Sequence, residues 1–169
     1  MAADLLLAGF EVHLAELPQF ARNLDVIRRR GGIEISGSAR SGLVMPNTVT
    51  TDVRRAVEDA KVIMFTVPAY GHRTFFDACA PYLKGGQIVV FNTGYYAGMR
   101  LGQELERLGR DVIVAERPSL VYLCKLTGPA QVFVDGLKRS LQIAAFRASD
   151  TGTVIDALKD AYPQFDPCL

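Results

Sequence analysis

Three continuous apolar runs, separated by helical patterns, constrain the fold of this 169-residue chain more than any other feature. They cover residues 62–67 (VIMFTV), 87–91 (QIVVF) and 111–115 (DVIVA). A strand that is apolar on both faces is usually buried on both faces, as in a parallel sheet. The patterns between the runs are helical and end at glycines. The chain is therefore predicted to be α/β, with a mainly parallel, doubly wound sheet and right-handed crossovers.

The first sixteen residues extend this pattern. Residues 1–7 are predicted to be the back of a helix that stops at Gly9, and residues 11–15 a short strand that leads to Glu16. In a dinucleotide-binding βαβ unit, an acid at this place accepts hydrogen bonds from the ribose of adenosine. The opening strand and the glycine-rich turn of such a unit, which holds the pyrophosphate, are not found among these residues. The segment therefore predicts that the chain binds a dinucleotide, although it lacks the turn that would bind the pyrophosphate most strongly.

The last third of the chain has a different rhythm. Residues 120–127, 131–135 and 140–146 alternate between apolar and polar side chains and are joined by hairpin signals, so the C-terminal edge of the sheet is predicted to be antiparallel. Residues 150–162 are predicted to form a final helix, and residues 32–44 a hairpin or irregular excursion.

Composition excludes several functional classes. A net charge of +1 argues against nucleic-acid binding, and residues 28–30 (RRR) are interpreted as the cationic end of a helix. No apolar run approaches the roughly 20 residues of a membrane span. The three cysteines, Cys79, Cys124 and Cys168, form neither a metal motif nor a disulfide framework, which predicts no metal site and a reducing cytoplasm.

Ligands of parallel sheets bind outside the carboxyl ends of the strands. This rule selects Glu16 and residues 68–72, 92–94 and 116–118, which are scattered in sequence but predicted to converge at one rim.

The residues of this rim resemble a known family. Residues 67–72 (VPAYGH), residues 81–98 (PYLKGGQIVVFNTGYYAG) and the segment that begins at 115 (AERPSLVYLCKLTG) are similar to the opine dehydrogenases, the octopine and nopaline dehydrogenase family. That family is a branch of the group that contains ketopantoate reductase and glycerol-3-phosphate dehydrogenase. The resemblance covers essentially the whole chain. Its most specific parts are residues 67–72 and 116–124.

The resemblance implies an oxidoreductase that reduces the imine formed from an amino acid and a 2-oxo acid, with NADH or NADPH. Such enzymes have a Rossmann-type N-terminal domain and a helical C-terminal domain that supplies the catalytic histidine. Residues 1–169 would then be a partial dinucleotide-binding domain, truncated at both ends and inactive alone. Two rival hypotheses remain open: another reductase of the same group, such as a ketopantoate reductase, and a non-catalytic nucleotide-binding or interaction module.

The resemblance also implies roles for individual residues. Glu16 would bind the adenosine ribose; Val67, Pro68 and Ala69 would lie under the nicotinamide end of the cofactor; His72, Asn92, Thr93 and Gly94 would line the same rim; and Glu116 would face the substrate cleft. Glu16 favours NAD because a carboxylate repels a 2′-phosphate, although Arg22 leaves NADP possible.

Several of these residues have simpler interpretations. Glu16 can be a solvated acid, His72 a helix cap or a packed side chain rather than a catalytic group, and Glu116 an ion-pair partner of Arg117 or Lys125. No residue matches the family's proton donor, so the catalytic acid is unassigned.

The absent opening strand would lie between residues 12–15 and 62–67 in the usual strand order. The chain is therefore expected to be marginally stable, to move its first strand inward against residues 62–67, or to have the gap filled by another chain.

Overall fold

The computed structural model describes residues 1–168 and divides into two compact units. Unit 1 comprises Met1–Ala56 and Val121–Lys138, and unit 2 comprises Val57–Leu120 and the chain from Arg139 onward. In chain order, the helices and strands are α1 (Ala2–Leu7), β1 (His13–Ala15), α2 (Ala21–Arg30), β2 (Ile33–Gly37), β3 (Gly42–Val44), β4 (Thr48–Thr50), α3 (Val53–Val57), β5 (Val62–Phe65), α4 (His72–Cys79), β6 (Ile88–Asn92), α5 (Ala97–Arg107), β7 (Ile113–Arg117), β8 (Tyr122–Gly128), β9 (Gln131–Leu137), β10 (Leu141–Ala145), α6 (Thr151–Leu158) and β11 (Phe165–Pro167). The predicted α/β class is confirmed.

Unit 2 is built on a five-stranded sheet in the order β11-β10-β7-β6-β5. The three apolar runs form β5, β6 and β7, which are parallel, with Val62 opposite Ile88 and Val89 opposite Val114. All five residues of β6, which lies between β5 and β7, are buried, so both faces of this strand are covered. β10 pairs antiparallel with β7, which confirms the predicted antiparallel C-terminal edge, and β11 pairs parallel with β10.

The helices of unit 2 cover this sheet with apolar side chains. Leu101 and Leu105 of α5 and Val154 and Leu158 of α6 are all buried. Gly102 of α5 allows an especially close approach, because a Cβ atom there would lie 2.5 Å from Cγ of Phe146. The strands β5, β6 and β7, whose carboxyl ends form the rim, therefore belong to a sheet against which helices are closely packed.

Unit 1 contains a four-stranded sheet in the order β3-β2-β9-β8 and a parallel pair formed by β1 and β4. β2 and β3 form the hairpin predicted for residues 32–44. The core of unit 1 includes Leu24, Ile35 and Val134. The buried carboxylate of Asp4 accepts hydrogen bonds from Tyr122 Oη at 2.7 Å and Arg40 Nη1 at 3.2 Å, which offsets the cost of removing it from water.

The end of α2 agrees with the interpretation of the arginine run. Arg28, Arg29 and Arg30 occupy the last turn of α2, and Gly31 follows in the left-handed conformation with φ of 78°. Cations at this end of a helix interact favourably with its dipole.

Three sequence-based expectations require correction. The β8–β9 hairpin does not lie at the edge of the parallel sheet but joins β2 in unit 1. Hairpin signals define the turn between two strands and carry no information on which sheet the pair enters. The strand predicted for residues 62–67 ends at Phe65, and among the described residues it pairs only with β6. The inward shift of the first strand does not occur, since β1 pairs with β4.

The remaining findings concern membranes, thiols and metals. None of the helices described is both long and apolar enough to cross a membrane. The three cysteines are free thiols, of which Cys79 is buried and Cys124 and Cys168 are exposed. Within residues 1–168, no group of three or more metal-ligating side chains occurs.

Candidate functional site

Glu16 lies directly after β1 in unit 1, at the strand end where the sequence predicts it. Its backbone N–H donates to the carbonyl of Thr50 at 3.2 Å. Its Oε1 accepts a hydrogen bond from the N–H of Leu17 and its Oε2 from Nδ2 of Asn23, both at 3.2 Å. A carboxylate offers about four lone-pair sites, so the half-buried Glu16 can still accept from two hydroxyls of a ligand.

In unit 2, the segment after β5 forms the first part of a rim at the carboxyl end of the sheet. Pro68 and Ala69 are exposed and Val67 is half-buried. A short 3-10 turn over Ala69–Gly71 follows, in which the N–H of Gly71 donates to the carbonyl of Pro68 at 2.8 Å. The turn leads directly into α4 and leaves the surface of residues 68–70 open to a ligand.

His72, the first residue of α4, is buried, with only 3% of its surface exposed. Its ring lies 5.1 Å from the ring of Phe91. Burial lowers the pKa of His72, against the opposing effects of a hydrogen bond with the Val67 backbone and the negative charge of Glu116. Its Nε2 has no hydrogen-bond partner among the described residues. His72 therefore presents a neutral imidazole whose Nε2 is unsatisfied.

A buried polar network ties the three strand ends together. Asn92, at the end of β6, donates from Nδ2 to the carbonyl of Phe65 in β5 at 3.0 Å. Its Oδ1 accepts from Nε of Arg117 at 2.5 Å and also from Nη2 of the same residue. The N–H of Gly94 donates to the carbonyl of Arg117 at 3.0 Å. The guanidinium of Arg117 also lies 5.2 Å from the centre of the Phe165 ring.

The turn after β6 is strained. Thr93, Tyr95 and Tyr96 have φ values of 69°, 47° and 65°, which side-chain-bearing residues rarely adopt. Conformations of this kind cost on the order of 1–3 kcal/mol each and persist where the surrounding structure enforces them. Tyr95 and Tyr96 are 73% and 70% exposed, so their rings are available to a ligand or partner.

Glu116 of β7 holds the other side of this turn. Its Oε2 accepts from the N–H of Gly98, in the first turn of α5, at 2.8 Å. A Cβ atom on Gly94 would collide with the Glu116 side chain, and one on Gly98 would lie 3.1 Å from its Cβ. The turn and the carboxylate can approach only because positions 94 and 98 are glycine.

A cleft of about 380 Å³ opens beside this turn. Tyr95, Tyr96 and Glu116 line one part of it, and Ile143 and Cys168 line another. The cleft is within the size range of small-molecule sites, and its surface is mostly apolar with a few polar groups.

The structure brings most of the predicted residues to one end of the unit 2 sheet: Val67, Pro68, Ala69, His72, Asn92, Thr93, Gly94 and Glu116. Glu16 belongs to unit 1. Sequence reasoning placed Arg117 in the rim segment 116–118 and treated it as a possible ion-pair partner of Glu116, but it missed that Arg117 is buried. The available signal was a cation at the end of a strand that begins with three apolar residues. It also missed Asn23, for which a helix position seven residues after Glu16 gives no distinct signal.

Comparison with known proteins gives a consistent picture, although no family model matches the chain. The chain is 29% identical over 166 residues to an opine dehydrogenase from Arthrobacter sp. (strain 1C), a match that covers 97% of this chain and 46% of that protein.

Solved structures agree on the fold. Octopine dehydrogenase with NADH and pyruvate superimposes with a TM-score of 0.72 at 22% identity, covering 93% of this chain and 44% of that one. Yersinopine dehydrogenase with bound NADP+ superimposes with a TM-score of 0.67 at 17% identity, and the match covers 98% of this chain and 43% of that one. A ketopantoate reductase of the PanE/ApbA family from Ralstonia eutropha JMP134 superimposes with a TM-score of 0.66 at 19% identity, and the match covers 99% of this chain and 51% of that one. The fold is thus Rossmann-like. The chain is thus similar in sequence to an opine dehydrogenase and in fold to octopine dehydrogenase, and it spans about half the length of the curated opine dehydrogenase from Arthrobacter.

Proposed function

We propose that this chain is the cofactor-binding part of an NAD(P)-dependent opine-type dehydrogenase, which reduces the imine formed from an amino acid and a 2-oxo acid. The observation that carries the proposal is the match to an opine dehydrogenase over 97% of the chain. The octopine dehydrogenase of similar fold holds NADH and pyruvate, which are a cofactor and a 2-oxo acid of this reaction.

The residues of the chain fit a dinucleotide in two respects. The Glu16 carboxylate is fixed by two donors and still has lone pairs for ribose hydroxyls. In unit 2, the buried Nε2 of His72 lacks a hydrogen-bond partner among residues 1–168, and a ligand group that reached it would supply the missing hydrogen bond. NAD is the proposed cofactor, and NADP remains an alternative because yersinopine dehydrogenase of similar fold binds NADP+.

When bound, the nicotinamide supplies the hydride, and the protein contributes binding and orientation. Val67, Pro68 and Ala69 are proposed to support the nicotinamide end, and Asn92, Thr93 and Gly94 to line the adjacent turn. The Asn92–Arg117 network makes this part of the site rigid, since it joins the ends of β5, β6 and β7. His72 is proposed to contact the cofactor rim. Its catalytic role is the weaker hypothesis, because burial lowers the pKa of this side chain and favours its neutral form.

Glu116 is proposed to shape the substrate cleft. Its carboxylate already accepts from Gly98, so the hydrogen-bonding capacity left for a substrate is reduced. The proton donor to the imine nitrogen is not assigned to any residue of this chain.

The proposal extends to the organisation and location of the protein. Residues 1–169 are proposed to be a partial dinucleotide-binding domain of a longer dehydrogenase that also has a substrate domain. A cytoplasmic location is proposed on the basis of the three free thiols.

A second reductase function is supported by one observation, the similar fold of a ketopantoate reductase with a TM-score of 0.66. The deciding experiment is an assay of the complete protein encoded by the gene, with NADH or NADPH and either an amino acid plus pyruvate or ketopantoate. We expect cofactor oxidation only with the amino acid and pyruvate together. Oxidation with ketopantoate alone would replace the first proposal with the second. Absence of dinucleotide binding to the complete protein would instead support a non-catalytic module.

A further inference from the structure

The carboxylate of Glu16 is held by Asn23, a residue to which the proposed function assigns no role of its own. Asn23 lies in the first turn of α2, and its Nδ2 donates to Oε2 of Glu16 at 3.2 Å. The N–H of Leu17 donates to the other oxygen at 3.2 Å. One donor on each oxygen fixes the rotation of the carboxylate, which a single donor would leave free.

This arrangement has a consequence for anions. Two donors at this strand end, the Leu17 N–H and the Asn23 amide, are already engaged by Glu16. The carboxylate thus occupies the place of an anion and repels another one. Arg22 is exposed in the same turn of α2 and supplies a cation for a phosphate once the carboxylate moves away.

We propose that Asn23 is a positioning residue that holds Glu16 against a 2′-phosphate, so that Asn23 and Glu16 together set a preference for NAD over NADP. This inference rests on the proposed role of Glu16 at the adenosine ribose. Without the Asn23 donor, the carboxylate rotates, its contacts to the two ribose hydroxyls weaken, and its negative charge is no longer held in place against a phosphate.

The test uses the 169-residue chain and two small probes, adenosine and adenosine 2′-phosphate. Both contain only the adenosine end of the cofactor, so their binding does not require a pyrophosphate-binding turn. Amide shifts in an NMR titration give both dissociation constants, and the measured quantity is their ratio. The wild type is expected to bind adenosine more tightly than its 2′-phosphate.

Asn23→Leu removes the donor but keeps a side chain branched at Cγ, and it is expected to lower this preference about three- to tenfold, the effect of one hydrogen bond. Asn23→Gln, which keeps an amide, is expected to restore most of it. Gln19→Leu is the matched control, because it makes the same kind of change at an exposed residue outside the Glu16 contacts. An unchanged ratio in Asn23→Leu, or an equal change in Gln19→Leu, overturns the role of Asn23.

Failure of the proposed function gives a different result. If neither probe shifts the amides of residues 16–23 in the wild type, or if Glu16→Gln leaves both constants unchanged, Glu16 does not bind a ribose. The inference about Asn23 then falls with it. A ratio that changes in Glu16→Gln but not in Asn23→Leu rejects only the inference.

Discussion

The terminal strands of the two sheets, β5 in unit 2 and β8 in unit 1, have different designs. β8 has Lys125 near its middle, two register irregularities against β9, and exposed residues from Leu123 to Thr127. These are devices by which proteins prevent an outer strand from pairing further. β5 is a regular apolar strand, VIMF, in unbroken register with β6. The comparison shows that β8 carries the features of an outer strand and that β5, although terminal in its sheet, lacks them.

The largest effect is expected from a longer chain. If β5 is an inner strand, a polypeptide extended upstream in its reading frame should contain a further parallel strand that covers this edge. Each buried apolar side chain adds about 1.5–3 kcal/mol, so the gain is large against the roughly 5–15 kcal/mol of a whole domain. Urea unfolding of the two polypeptides measures it. Equal unfolding free energies would mean that β5 is an outer strand after all.

A substitution in β6 sharpens the contrast between inner and outer strands. Phe91 is fully buried and stacks on Phe65 with ring centres 4.8 Å apart. Phe91→Ala is expected to lower the unfolding free energy by about 3–5 kcal/mol. Leu126→Ala in β8, where 77% of the side chain is exposed, should stay within about 0.5 kcal/mol of wild type. A similar loss in both variants, measured by urea unfolding, would remove the distinction.

Two glycines extend the comparison to backbone packing. Gly94→Ala places a methyl group against the Glu116 side chain and is expected to cost about 1–3 kcal/mol. Gly136→Ala in β9 is the control, because a Cβ atom there has no neighbour within 4 Å. Thermal unfolding of both variants decides the matter, and a Gly94→Ala protein as stable as the control would show that Glu116 can move aside.

The smallest effect concerns pH. Because burial lowers the pKa of His72 in the folded state, the unfolded chain binds its proton more readily. The contribution of His72 to the free energy of unfolding is therefore complete above its ordinary pKa of about 6.5. It is lost as the pH falls toward the lower pKa of His72 in the folded state. Unfolding free energies measured at several pH values should fall less steeply on acidification in His72→Gln than in wild type, with His13→Gln as control. Parallel curves for His72→Gln and wild type would contradict this assignment.

The sequence predicted the parallel strands well and the location of the β8–β9 hairpin wrongly. β5, β6 and β7 follow directly from continuous apolar runs, because only strands covered on both faces tolerate such composition. The location of β8 and β9 could not be predicted, since alternation identifies a hairpin but not the sheet it joins. β11 was missed because a strand of three residues that ends in Pro167 has no periodicity to detect.

The candidate site shows the same division. The strand-end rule predicted the segments around Pro68, Asn92 and Glu116, because topology alone brings them to one edge. It could not predict that Arg117 is buried on Asn92, or that Glu116 contacts Gly98, since both depend on side-chain direction in the folded protein. The role of Glu16 at a ribose remains a prediction.

The three cysteines provide a means of observing the cleft in solution. Burial raises the pKa of the Cys79 thiol to about 12, so this group resists alkylation at neutral pH. Cys168 lines the cleft of unit 2, while Cys124 is exposed on β8 in unit 1. A ligand that occupies the cleft should slow the labelling of Cys168 and leave Cys124 as an internal standard. Cys168 thus reports on the cleft, Cys124 serves as the reference, and Cys79 stays unlabelled. Mass spectrometry can therefore follow occupancy of the cleft without an engineered label.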